Sequence, residues 1–276
     1  MKSFMTFRNL MLSVFLALIM SLTTIAQLSD PEPPEPQPRN LVSPIVTVYA
    51  SYNATGDAVT YLYSVESGLD SRQPINTLAI ESALEETRIA SPEGWTGSFT
   101  PASGGGGSFP DRIRWGATTG MIEPGQQTNG FEFEISALPK VTRALFTGWA
   151  PIPEYDVVPR FASAPKPIPL DQRFKAVDSI GPGLSLKESH SLLDILDFVL
   201  HEHNKAVQLN WLPDLTVKLD EIRAQLDSGS PAEAKQLLLS LIEELGTRPD
   251  VSENGYSLLA PSLTYINSRI PNNENL

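Results

Sequence analysis

The chain has 276 residues and no cysteine. It is long enough for two modest domains, while disulfides, thiol catalysis, cysteine-ligated zinc or iron–sulfur centres and a lipid on an N-terminal cysteine are excluded. The formal charge of -12 becomes -14 once Lys2 and Arg8 leave with a leader. Such a chain repels nucleic acid and anionic membranes, and leaves calcium as the simplest cation to invoke.

Residues 1–26 read as a secretory signal. Lys2 and Arg8 supply the positive n-region, Leu10 to Met20 the apolar core, and Thr24-Ile25-Ala26 the small residues at a cleavage point. The apolar core is short for a membrane span, which needs about 20 residues. The expectation is therefore a secreted protein, periplasmic or extracellular, of bacterial type, with no stable membrane insertion after signal removal. Residues 27–40 form a Pro-rich spacer. Ser29 to Arg39 holds five prolines and no large apolar residue, the composition of an extended polyproline II segment.

From 41 to 150 the apolar period is two. Val59, Tyr61, Tyr63 and Val65 share one face of a strand over Ala58–Glu66, with Thr60, Leu62 and Ser64 on the other. Phe131, Phe133 and Ile135 alternate with Glu132 and Glu134 in the same way. Further strands are expected at Ile45–Ser51, Ile75–Ile80, Asp111–Gly116 and Val141–Trp149. Asn53 to Asp57 suits a hairpin loop, and Ile122-Glu123-Pro124-Gly125 a type II turn. About seven short strands in about a hundred residues, each with one dry and one wet face, predict an antiparallel β-sandwich. The glycines from Gly104 to Gly107 read as a loop tip, since neither a Lys-Ser/Thr pair nor a helix start follows them.

Residues 151–184 are rich in proline and lack periodicity, so they read as a linker. The period then becomes helical over 185–271, a small bundle of four helices. The first, near Lys187 to Gln208, buries Leu192, Ile195, Leu196 and Val199. The second carries Leu215, Leu219, Ile222 and Leu226 and stops at Gly229. The third begins Ser230-Pro231-Ala232-Glu233, the pattern of a capping box, and Ser252 caps the fourth. The whole is α+β: a sandwich followed by a helical bundle, each expected to own a core.

The run Leu215-x-x-Lys218-Leu219-x-x-Ile222-x-x-x-Leu226-x-x-Gly229 leads into Ala234 and a helix rich in Leu and Ile. Trp211 stands ahead of it and Tyr256-x-Leu258-Leu259 behind. This outline resembles the FIMAH-type helical modules appended to secreted bacterial enzymes and surface proteins. The resemblance implies an accessory module without catalytic residues of its own. Upstream, Ile122-Glu123-Pro124-Gly125 with Gly130-Phe131-x-Phe133 looks similar to exported bacterial sandwich domains of unknown role.

Candidate chemistry is sparse. His190, Asp194, Asp197 and His201 are spaced four, three and four apart, a stripe about 60° wide on a helix. Imidazole and carboxylate at such spacings can chelate zinc or nickel, although solvated His–Asp pairs are also expected opposite a leucine face. Trp95, Trp115 and Trp149 can serve as a sugar platform or as buried aromatics. Glu81, Glu85 and Glu86 share one segment, and Glu132 and Glu134 one sheet face, so neither set spans a cleft as glycoside hydrolysis requires. No G-x-S-x-G is present. The expectation is a non-catalytic, exported protein without cofactors that binds an extracellular protein or a glycan. A carbohydrate-binding protein is the alternative, and a hydrolase with an acidic site comes behind both.

Overall fold

A computed structural model describes residues 40–84, 88–102, 110–149, 174–206 and 212–271. The leader, the Pro-rich spacer through Arg39, the tetraglycine loop, the expected linker through residue 173, Glu85, Glu86 and Trp211 lie outside them. Alternation dictates the sheets. In β1 (Pro44–Asn53) and β2 (Ala58–Ser67) every second residue is buried, and Val48 faces Tyr63 across the pair. β7 (Gln127–Ile135) lies against β2, and the three-residue β4 (Arg88–Ala90) lies against β7, giving a four-stranded sheet in the order β1-β2-β7-β4. The second sheet takes β3 (Ile75–Glu81), β5 (Trp95–Thr100), β6 (Arg112–Ala117), β8 (Ala137–Gly148) and β9 (Lys175–Ser185) in the order β5-β6-β3-β8-β9. All pairings are antiparallel.

The two inner faces meet in an aromatic core. Tyr61 stacks on Phe133 at 4.8 Å, Trp95 meets the edge of Phe131 at 4.9 Å, and Trp115 packs on Phe131 and Phe133. Buried phenols need acceptors. Tyr61 donates to the Ala137 carbonyl at 2.9 Å and Tyr63 to the Ile180 carbonyl at 2.7 Å. Burial also pushes both phenols well above the ordinary tyrosine range. Trp115 donates its indole N–H to the Ala90 carbonyl at 2.9 Å, joining β6 of one sheet to β4 of the other. Gly97 makes this possible, because a Cβ there would come within 2.6 Å of the Trp115 nitrogen.

Among the described residues four helices follow the strands: α1 (Leu192–Lys205), α2 (Leu212–Asp227), α3 (Pro231–Thr247) and α4 (Glu253–Arg269). The described residues thus form an α+β architecture, a sandwich of nine strands followed by a helical bundle. None of the helices among the described residues is long and apolar enough to cross a membrane.

Three expectations are corrected. The interval 151–184 is not linker throughout, since 175–184 falls within β9, which pairs with β8 from Phe146 back to Ala137. Pro182 misleads the eye, but β9 is an edge strand, where proline's missing N–H costs no ladder bond. The two halves also do not own separate cores. Residues 40–149 and 174–271 form one compact unit, and one contiguous apolar cluster runs from Val46 and Tyr63 through to Leu241 and Ile266. The capping box expected at Ser230 is absent: Ser230 makes no side-chain cap bond. The box stands instead at Ser191–Asp194, where the Ser191 hydroxyl accepts the Asp194 N–H at 3.1 Å and the Asp194 carboxylate accepts the Ser191 N–H at 3.1 Å.

α4 is what joins the halves. It touches β1, β8 and β9 as well as α1 and α3. β1 is a sheet edge, and an edge strand leaves backbone donors and acceptors without a strand partner. Asn254 and Ser257 replace that partner. Asn254 accepts the Val48 N–H and donates to the Val46 carbonyl, while Ser257 accepts the Ala50 N–H and donates to the Val48 carbonyl. α1 does likewise at β8. β3 pairs with β8 only as far as Ala144, and beyond that point the buried Glu202 carboxylate accepts the Val141 N–H at 2.9 Å. Lys205 neutralises Glu202 from one turn away, at 2.6 Å.

Candidate functional site

Period two sends the odd residues of β1 to the outer face of the four-stranded sheet. Ile45, Thr47, Tyr49 and Ser51 line that face, opposite Glu66, Ser64, Leu62 and Thr60 of β2. β2 in turn sets Leu62 beside Glu132 and Thr60 beside Glu134, and β4 adds Arg88 beside Glu134. A bulge in the β2–β7 pairing after Tyr63 keeps Asn129 and Gln127 on the same face, next to Ser64 and Glu66. Gln127 donates to the Asn129 side chain at 3.2 Å and also to the Ser64 hydroxyl, holding the amides in place.

The apolar members of this face are open. Tyr49 is 55% exposed, Leu62 36% and Ile45 54%. Tyr49 and Leu62 are direct cross-strand partners, so their Cβ atoms stand about 5 Å apart. Ile45 lies about 13 Å along the same strand. The arrangement is an aromatic and aliphatic strip, with Glu66 at one end and Glu132 and Glu134 along the side. It offers aromatic contact, hydrophobic burial and carboxylate acceptors on one sheet face.

The residues singled out by sequence are placed elsewhere. Trp95 is 6% exposed and Trp115 fully buried. Both belong to the sandwich core, so they cannot form a sugar platform. Trp149 is 45% exposed at the end of β8, where its backbone N–H donates to the Pro74 carbonyl. Glu132 and Glu134 do share one outward sheet face, and Glu81 is ion-paired with Arg143.

The His–Asp stripe does not come together. The helix begins at Leu192, one residue past its Ser191 cap, so His190 is left off it and sits 3.2 Å from the Ser185 carbonyl. Asp194 is occupied in the capping box, and the Ser191 hydrogen bonds hold its carboxyl below the usual range. Asp197 pairs with Arg223, and His201 is exposed. Among the described residues no three His, Asp or Glu side chains are grouped to hold a metal ion. His203, by contrast, is fully buried, and burial lowers its imidazole to about 4.

Alternation in β2 already sets Leu62 outward with Thr60 and Ser64, whereas sequence reasoning does not single out Tyr49. Its signal lies in the odd positions of β1, where Ile45 and Tyr49 interrupt the hydroxyls of Thr47 and Ser51 on what should be a wet face.

No family model matches the chain, and no curated protein matches it either. Among solved structures it is similar to an uncharacterized protein from Nocardia farcinica with an immunoglobulin-like fold. The identity is 15% and the TM-score 0.28, with 48% of this chain and 95% of that one covered.

Proposed function

We propose that the protein is an exported, non-catalytic binding protein that engages an extracellular protein through the outer face of its four-stranded sheet. The exposed Tyr49–Leu62 cross-strand pair, extended by Ile45, is the observation that carries this reading. Large apolar side chains scattered singly on a surface need no explanation, whereas three on one face of adjacent strands suit a contact surface. The leader at 1–26 supports export. The helical half, with its FIMAH-type outline, acts as a structural support: its side chains close the backbone of β1 and β8.

Site-specific photo-crosslinking in the cell envelope or medium of the native host tests this. A photoreactive residue at position 49 should give a discrete protein adduct, which disappears when Leu62 is changed to glutamate. The same probe at Leu239, an exposed leucine on α3, should give none. Identical adducts from both positions would sink the reading.

A further inference from the structure

Resting on that reading, we infer that the partner presents a basic segment, an arginine or lysine beside an apolar side chain, to the strip of Tyr49, Leu62 and Glu132. Charge complementarity carries the choice. Leu62 is flanked by Tyr49 on one strand and Glu132 on the other. Glu134 stands two residues along from Glu132, and Glu66 two rows away on β2. Among the described residues, the cation that shares this face is Arg88, in register with Glu134. The chain as a whole has a charge of -12, so its wider field attracts the same sign.

The chemistry of the strip discriminates further. An apolar partner residue set on Leu62 would bring its neighbours over Glu132, where an acidic group is repelled and a neutral one leaves the carboxylate partly desolvated. A guanidinium there reaches the carboxylate while its plane lies on the Tyr49 ring, since arginine both pairs bidentately and stacks on aromatic faces. Its aliphatic stem covers Leu62. Tyrosine and arginine are also the residue types that dominate binding at such contacts. Exposed carboxylates contribute little each, so the strip requires the apolar contact and the charge together.

The test is selection of the purified protein against a random linear peptide display library, followed by affinity measurement on synthesised hits. Enriched peptides should pair Arg or Lys with Leu, Ile, Val or an aromatic residue, and Tyr49→Ala should abolish the enrichment. The Glu132→Gln/Glu134→Gln double variant should weaken a hit about tenfold with the melting temperature unchanged. Glu243→Gln, which removes an exposed charge from α3, should leave binding as it was. Tyr49-dependent peptides without basic residues would overturn this inference and leave the binding face standing. Basic peptides held equally well by Tyr49→Ala would reduce the effect to the chain's overall charge and overturn it. Tyr49-dependent capture of sugars on a glycan array, with no peptide enriched, would overturn both this inference and the protein-binding function on which it rests.

Discussion

Asn254 accepts the Val48 N–H at 2.7 Å, across 206 residues of chain. One turn further along α4, Ser257 both accepts from and donates to the same strand. Two side chains on a helix therefore supply hydrogen bonds that a neighbouring strand otherwise makes. Replacing Ser257 by alanine leaves the buried Ala50 N–H without its acceptor, which costs about 1–3 kcal/mol. Urea unfolding of Ser257→Ala and Asn254→Ala should show losses in that range. A loss under about 0.5 kcal/mol for both, the level of an ordinary surface change, would mean that water replaces these bonds freely.

The helices should not stand alone. α4 has Ser257, Leu258, Leu259, Leu263 and Ile266 buried together, so it is covered on more than one side, and part of that cover is sheet. Residues 186–271 expressed without the sandwich should show reduced helicity and a broad, weakly cooperative melt beside the intact chain. A sharp transition at the temperature of the whole protein would restore the case for two independent domains.

The caps make a paired comparison. Ser191→Ala removes an acceptor from the Asp194 N–H and breaks the box, at a cost of about 1 kcal/mol. Ser230→Ala removes no cap bond and should fall within about 0.5 kcal/mol. Leu238→Ala, at a fully buried position of α3, should cost about 2–5 kcal/mol. Equal losses for the two serines, measured by denaturant unfolding, would contradict the geometry.

His203 sets a pH dependence. Burial holds its imidazole at about 4, against 6.5 in the unfolded chain. Between those values the unfolded state binds more protons, so its stabilising neutral form counts fully above 6.5 and is lost progressively as the pH falls towards 4. The unfolding free energy should decline through this window, and less steeply in His203→Met. Asp194, Glu244 and Asp250, all lowered by hydrogen bonds to Ser191, Lys218 and Arg248, add losses below their ordinary range, at more acid pH. Parallel pH profiles for the parent and the variant would remove His203 as the cause.

Strands with strict alternation were legible in the sequence. β1, β2, β6 and β7 each carry a buried residue at every second position over much of their length, because one face meets the core. β3 and β8 show as apolar runs that are buried on both faces from Thr77 to Ile80 and from Ala144 to Phe146. The others were hidden for physical reasons. β4 has three residues, too few to show a period. β5 gives up a side chain at Gly97 so that the Trp115 indole can approach. β9 contains Gly181-Pro182-Gly183, which reads as a break. Yet a Cβ at position 181 would meet the Thr142 methyl at 2.7 Å, so a glycine there serves close packing on β8. Helix stripes were equally plain, but a leucine stripe does not say whether its cover is another helix or a sheet. The dual cover of α4 could not be read from its pattern. Alternation did place Leu62 on the outer face with Thr60 and Ser64, but that this face stays uncovered is a property of what fails to pack on it.

Dependence of β1 on α4 also fixes an order of assembly. During synthesis Val48 is made more than two hundred residues before Ser257, its eventual hydrogen-bond partner. Through that interval the first strand is an open edge with unpaired amides, the kind of template on which chains add to one another. Contacts of such long sequence separation are slow to form, so the sandwich cannot close early on the emerging chain. A ribosome stalled before residue 254, or a protease that trims α4, would leave a chain in which β1 to β9 are present but the edge is unsealed. Such products should self-associate during expression, while the chain that retains α4 stays monodisperse.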